Sequence, residues 1–83
     1  MKAVVIGVNL GKGRAVACSD EGEYILLEIF TDEPEMHDEL SGKFDEHPLG
    51  SEMIKNITQG VTMEFFIQDY CSKEVAQKHL NGN

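Results

Sequence analysis

The chain has 83 residues, with 15 acidic against seven basic side chains and a formal net charge of −8. A chain of this length forms one domain around one modest core, and its longest apolar run, residues 3–8, is far shorter than the roughly twenty residues that a membrane-spanning helix needs. Because a negative surface repels phosphate backbones, the composition disfavours non-specific binding to nucleic acid. We therefore expect one small domain over residues 1–83, without a membrane segment.

The N-terminus and the cysteines indicate a cytoplasmic location. An export signal needs an unbroken apolar stretch, and Asn9, Lys12 and Arg14 interrupt the one that precedes the small residues 15–18. A secreted domain of this size usually carries four or more cysteines, whereas this chain has only Cys18 and Cys71. We expect both to be free thiols.

The first thirty residues predict three consecutive strands. Residues 2–10, 14–19 and 23–30 alternate between two faces, and the short segments between them contain glycine, which tolerates the positive φ of tight turns. These connections are too short for helical crossovers, so the strands must form an antiparallel meander. Both faces of the first strand are apolar, and we expect both to be covered.

Residues 31–50 predict a break, a short fourth strand and a loop. Pro34 lacks a backbone donor and cannot occupy a central strand, so residues 31–38 leave the sheet. We expect the fourth strand over residues 39–44, with Leu40 and Phe44 on one face and a bend at Gly42 of the kind that barrel corners require.

Residues 51–57 are compatible with a helical turn capped by Ser51, or with a strand in which Met53, Lys55 and Ile57 alternate and which pairs with the next segment. The strand is the favoured interpretation. Residues 60–70 then give the strongest strand signal of the chain, because they are rich in β-branched and aromatic side chains. We expect this segment at the centre of the sheet, with one apolar row hidden from water: Val61, Met63, Phe65 and Ile67. Its other face is polar apart from Phe66 and Tyr70.

A short C-terminal helix completes the prediction. Ser72 is a good N-cap and Gly82 a good stop signal, with Val75 and His79, and Ala76 and Leu80, on one side at i, i+4 spacing. So short a helix is unstable alone and must pack against the sheet. The predicted fold is mainly β: a small antiparallel barrel or strongly curved sheet of five or six strands, OB-like or SH3-like in architecture, with a short C-terminal helix. An α+β sandwich is the alternative.

Motifs for catalysis, cofactors and metals are weak. The glycines from Gly7 to Gly13 have neither the spacing of a phosphate-binding loop nor a Ser or Thr after Lys12. The acids and histidines of residues 37–47 show no metal-ligand spacing. Cys71 with His79 is the one candidate nucleophile pair, and the two are separated along the helix. We expect no enzyme activity, no cofactor and no metal.

The uneven charge distribution is the best functional signal. Residues 1–19 carry only basic charges, whereas residues 20–46 carry eleven acids and one lysine. This acidic segment predicts a non-enzymatic interaction module that docks a basic partner protein, because opposite charges set the encounter rate and selectivity. The predicted partner-binding residues are Asp32, Glu33, Glu35, Asp38, Glu39, Asp45 and Glu46.

A second hypothesis uses the basic N-terminal hairpin. Small barrels often hold single-stranded nucleic acid on a face that combines cations with aromatic rings. In this chain that face would contain Lys12, Arg14, Tyr24 and Tyr70, with Phe66 as a further stacking surface. The alternative role for the aromatic rings is packing beneath the C-terminal helix.

Overall fold

The structure, a computed structural model, describes residues 1–82 and shows a closed six-stranded antiparallel β-barrel with one short C-terminal helix. Asn83, the last residue of the predicted domain, lies outside the described residues. The elements in chain order are β1 (Lys2–Asn9), β2 (Arg14–Ser19), β3 (Tyr24–Ile29), β4 (Glu39–Ser41), β5 (Gly50–Asn56), β6 (Val61–Cys71) and α1 (Lys73–Asn81). The prediction of a small antiparallel barrel with a C-terminal helix is confirmed, and residues 51–57 contribute the strand that was favoured.

Two three-stranded meanders make the barrel. The strand order is β1-β2-β3-β6-β5-β4, and β4 returns to pair with β1, which closes the sheet. Every pairing is antiparallel. Closure removes the exposed edges that an open sheet of this size would present to other chains.

The barrel interior is filled by alternate side chains of all six strands. Among its largest members are Phe65, Met63 and Ile67 from β6, together with Leu27 and Ile25 from β3. Val61, predicted to share this row, is 41% exposed because it lies where the β5–β6 turn leaves the barrel. The inward residues of β5 are Ile54 and Asn56, whereas Met53 and Ile57 are exposed.

A β-bulge corrects the predicted orientation of Tyr70. The β3–β6 register shifts so that Leu27 lies opposite Ile67 but Leu26 lies opposite Asp69. The extra residue, Gln68, reverses the alternation, since strand side chains change face at every position. Tyr70 therefore packs against the barrel core and not on the outer face predicted for it.

A second bulge, in β1, shapes the surface on which the helix packs. The register with β2 shifts between Val5 and Gly7, so that Val5 and Val8 both pack against the core while Ile6 and Gly7 line a groove beside α1. The prediction that both faces of β1 are covered is wrong, because Val4 and Ile6 remain 37% and 40% exposed on the outer face.

The helix lies outside the barrel over β1, β2 and β3. It buries Ala76 against Val16 and Leu26, and His79 donates from Nε2 to the Leu27 carbonyl oxygen at 3.1 Å. The Ser72 hydroxyl accepts from the Val75 amide, and Gly82 ends the helix with φ +83°. Both capping predictions are confirmed, although Val75, expected to face the sheet, is 46% exposed.

The fourth strand is shorter than predicted. It ends at Ser41, and Phe44 lies in a 3-10 turn over residues Phe44–Glu46 that closes one end of the barrel. Phe44 is nonetheless buried, and its ring packs on Gly42, where a β-carbon would lie 3.3 Å from Phe44 Cζ. Gly42 thus allows both the bend and the close approach of the ring.

Candidate functional site

The fold separates the predicted acidic docking residues. One end of the barrel, here called the Lys12 end, carries the 10–13 turn, the 30–38 loop and the 57–60 turn. The opposite end, the Glu23 end, carries the 20–23 turn and the 42–49 loop, joined by a bond between His47 Nε2 and Glu23 Oε1 at 2.6 Å. Because β5 spans six residue steps between them, the two ends lie about 20 Å apart.

The seven predicted residues therefore do not form one patch. Asp32, Glu33 and Glu35 are exposed in the loop at the Lys12 end, whereas Asp45 and Glu46 are exposed at the Glu23 end. Glu39 begins β4 and lies 4.0 Å from Lys2 Nζ. The remaining member, Asp38, is buried.

Asp38 is buried and hydrogen-bonded within the protein, so it is not available to a docking partner. Its carboxylate accepts from Asn56 Nδ2 at 2.7 Å, from the Glu35 amide at 2.9 Å and from Gln59 Nε2 at 2.7 Å. Burial by itself would raise the pKa of Asp38, but these hydrogen bonds outweigh it and hold the pKa below its ordinary value. Asp38 thus fastens the 30–38 loop to the β5–β6 turn.

The Glu23 end gains acidic residues that the sequence prediction left out. Asp20 and Glu21 lie in the β2–β3 turn, and Glu23 is tied to His47 in the 42–49 loop. The signal was present in the sequence, since these residues open the acidic run of residues 20–46. Only the tertiary structure shows that the contact between Glu23 and His47 brings the β2–β3 turn beside Asp45 and Glu46.

An aromatic contact stabilises this same end. The His47 ring meets the Tyr70 ring edge-on, with centroids 4.6 Å apart, and the Tyr70 hydroxyl donates to the Pro48 carbonyl oxygen at 2.9 Å. Burial, with the nearby charges of Glu52 and Glu23, raises the pKa of Tyr70 to about 12. Tyr70 is therefore a neutral structural side chain at physiological pH.

The fold brings the two basic side chains of the β1–β2 hairpin together, but both are directed towards the helix. Arg14 Nη1 donates to the His79 carbonyl oxygen at 3.0 Å, and the Lys12 side chain lies against Gly82. Tyr24 is half-buried beside α1, opposite Cys18 and so about 13 Å along the strand from Arg14. Tyr70 points into the barrel. The structure thus unites Lys12 with Arg14 but joins neither tyrosine to them in one surface.

Charge is segregated between the helix side and the rest of the molecule. Residues 12–14 and α1 hold four cations and one carboxylate, a net charge of +3: Lys12, Arg14, Lys73, Lys78 and Glu74. With a total of −8, the remaining residues carry −11. Most of the barrel surface is consequently acidic.

Two phenylalanines and two glutamates lie together on the outer face of β6, of β3 and of the residue that follows β3. They are called the Phe–Glu face: Glu28, Phe30, Glu64 and Phe66. Glu28 lies opposite Phe66 in the register, and the Phe30 amide donates to the Glu64 carbonyl oxygen at 3.4 Å. Each ring therefore has a glutamate beside it on the neighbouring strand and another two positions away on its own strand. The ring centroids of Phe30 and Phe66 are 6.1 Å apart, with planes inclined at 54°.

The sequence predicts Phe66 as a stacking surface but gives no reason to place two glutamates beside it. Their signal was the alternation of residues 28–30 and 64–66, which puts the first and third residue of each triplet on one face. Only the antiparallel register shows that the two triplets interleave.

Thiol and metal chemistry have little structural support. Cys18 and Cys71 both flank Tyr24 in the register, two strands apart, so their Cα atoms are about 10 Å apart, beyond the reach of a disulfide. Burial and the charge of Asp69 raise the pKa of Cys71, which disfavours the thiolate. Within residues 1–82 no three His, Cys, Asp or Glu side chains come together as a metal site.

Two of the cavities formed by residues 1–82 lie outside the barrel core. One, of about 230 Å³, runs between α1 and the sheet and is lined by Ile6, Val16, Tyr24 and Leu80 among others. The other, of about 250 Å³, lies between the 42–49 loop and β5 and is lined by Lys43, Phe44, Pro48 and Glu52 among others. Neither contains a cluster of reactive side chains.

Comparisons with known proteins give no relative from which a function could be transferred: no protein-family model, no curated protein and no solved structure matches this chain. In the described part of the chain no helix combines the length and the apolar character needed to cross a bilayer.

Proposed function

We propose that this protein is a non-enzymatic interaction module that binds a basic partner protein through its acidic surface. The segregation of charge is the observation that carries the proposal. The helix side has a net charge of +3 and the rest of the molecule −11, so the field of the barrel orients a cationic partner towards the sheet and loops that the helix leaves uncovered.

Free carboxylates support the proposal further. Among residues 1–82 only Glu39 and Glu23 lie within 4.0 Å of a basic side chain, and both of those contacts are largely exposed to water. Most carboxylates are therefore available to an incoming cation. Because the loop acids lie at opposite ends of the barrel, a partner contacts one end, or the sheet face between them, and not the whole predicted set.

The proposed location is the cytoplasm, and the proposed architecture remains OB-like or SH3-like. Two thiols that the register keeps apart suit a reducing compartment, where disulfides do not form. The architectural comparison rests on a small closed antiparallel barrel and carries no function by itself.

The test is an NMR titration of the labelled protein with an oligolysine peptide. We expect shifts on the acidic surface that weaken as salt rises from about 20 to about 200 mM, since screening shortens the range of exposed charges. An oligoglutamate peptide of equal length is the control and should cause no shifts on the acidic surface. Absence of shifts with oligolysine at the lower salt concentration would exclude a surface that recruits basic partners.

Binding of single-stranded nucleic acid is the second candidate, favoured by the four cations that the fold groups on the helix side. An oligothymidylate added to the same sample tests it. Salt-sensitive shifts at Lys12, Arg14 and Tyr24 would support nucleic-acid binding, and an unchanged spectrum at low salt would remove it.

A further inference from the structure

The Phe–Glu face is the part of the acidic surface with the most specific chemistry. Phe30 is 53% exposed although it is a large aromatic side chain, and Phe66 beside it is half-buried. The neighbouring β5 residue Met53, opposite Glu64 in the register, is 65% exposed. Exposed apolar side chains in a contiguous patch are typical of interaction sites.

The carboxylates of this face are not neutralised by the protein itself. Among residues 1–82 neither Glu28 nor Glu64 has a basic side chain within 4.0 Å, and Glu64 accepts a hydrogen bond only from the Ser51 hydroxyl. Arg14 lies opposite Glu28 in the register, but its guanidinium is directed to the helix end at His79. The face therefore combines two ring surfaces with two unpaired negative charges.

Resting on the function proposed above, we infer that the Phe–Glu face binds an arginine side chain presented by the basic partner protein. The guanidinium plane stacks on Phe66 or Phe30, and its N–H groups donate to Glu64 and Glu28. Cross-strand neighbours have β-carbons about 5 Å apart, so one guanidinium can contact a ring and a carboxylate at the same time.

Arginine fits this arrangement better than other ligands do. A guanidinium is planar and weakly hydrated, stacks on aromatic rings and donates in a fork that matches a carboxylate, whereas a lysine ammonium is a strongly hydrated point charge. A nucleic acid would also stack on the rings, but Glu28 and Glu64 would repel its phosphates. The chemistry thus indicates an arginine-bearing protein segment.

The test compares two peptides that differ only in their cation, one alternating arginine with serine and the other alternating lysine with serine. Fluorescence anisotropy measures the Kd of each for the full chain. We expect the arginine peptide to bind about two- to fivefold more tightly, as one exposed cation–π contact provides. The double variant Phe30→Leu/Phe66→Leu should lose this preference while binding the lysine peptide as before.

The glutamates are tested with Glu28→Gln and Glu64→Gln. Each should weaken binding of the arginine peptide more than the control variant Glu46→Gln, which lies at the Glu23 end. Circular dichroism confirms that the variants fold. If the double phenylalanine variant unfolds, Phe30→Leu alone provides the test, because more than half of its side chain is exposed.

The results separate the two proposals. If neither peptide binds, both the interaction module and the arginine site are wrong. If both peptides bind equally, or the preference survives loss of the two rings, the arginine site is wrong and the acidic interaction module stands. Sedimentation that shows a dimer broken by Phe30→Leu would also overturn the arginine site, since the face would then be covered by a second copy.

Discussion

Leu80 of α1 packs directly onto Gly7 of β1, so closely that a β-carbon at position 7 would lie 2.5 Å from Leu80 Cδ2. The β1 bulge turns Gly7 outward at the point where the helix crosses the sheet. A methyl group at position 7 would force the terminal methyl groups of Leu80 to move, so glycine here allows the leucine side chain to pack directly on the β1 backbone.

Gly7→Ala should therefore lower the free energy of unfolding by about 1 kcal/mol, the lower end of the usual cost of overpacking, because the atom that must move is a terminal methyl group of Leu80. The same substitution in a Leu80→Ala background should cost clearly less, because the clash has been removed. Urea denaturation of the four proteins gives the coupling energy. Gly11→Ala is the control, since its β-carbon would lie an ordinary 3.6 Å from Asn9 Oδ1; equal losses at both glycines would contradict the role of Leu80.

Asp38→Asn should destabilise the protein by about 1–3 kcal/mol at neutral pH, because the three donors that meet one carboxylate oxygen would then bind a neutral amide oxygen and lose the strength that the negative charge gives these hydrogen bonds. The folded pKa of Asp38 is lowered, so its contribution is present above the unfolded value of about 3.9 and is lost as pH falls through the folded value. Denaturation at several acidic pH values should show that the free energy of unfolding falls less steeply with decreasing pH in Asp38→Asn than in the parent protein. Asp32→Asn, in the exposed part of the same loop, should behave like the parent protein.

Tyr70 should lose its phenolic proton at a much higher pH than an ordinary tyrosine does. Its pKa is raised to about 12, so the neutral form is favoured in the folded state, and the stability it contributes is lost as pH rises from about 10 to about 12. Ultraviolet absorbance should show a late phenolate transition that disappears in Tyr70→Phe. This variant also loses the bond to the Pro48 carbonyl, at a cost of about 0.5–1.5 kcal/mol. A spectrum with no late transition in the parent protein would contradict the buried position.

Arg14→Met should cost about 1–2 kcal/mol, because the guanidinium that binds the His79 carbonyl also offsets the negative end of the helix dipole. Methionine retains the apolar stem, so the loss reports the charge and its hydrogen bond. Thermal unfolding at low and high salt measures it, and the difference should shrink at high salt. Lys55→Met, on the outer face of β5, is the matched control and should change stability by less.

Much of the fold could be predicted from local patterns. The alternation of residues 14–19 and 23–30, the glycine turns and the Ser72 and Gly82 signals each depend on neighbours a few positions apart. These elements appear in the structure almost as predicted. The face of Tyr70 was predicted wrongly, because the bulge at Gln68 arises from the register between β3 and β6 and leaves no mark in the alternation itself.

The candidate site was less predictable than the fold. Asp38 resembles its acidic neighbours in the sequence, yet its hydrogen bonds to Asn56 and Gln59 make it part of the interior. Glu28 and Glu64 are ordinary surface residues of two separate strands until the pairing interleaves them with Phe30 and Phe66. The proximity of residues far apart in sequence cannot be read from one sequence alone.

Side-chain alternation and turn chemistry depend on neighbouring residues, so the strands, the turns and the acidic character of the chain follow from its sequence. Which carboxylates are buried, which lie at opposite ends of the barrel and which flank the exposed rings depends on the tertiary fold. Strand register, bulges and the position of the helix result from packing between distant segments, and one inserted residue turns the side chains that follow it to the other face.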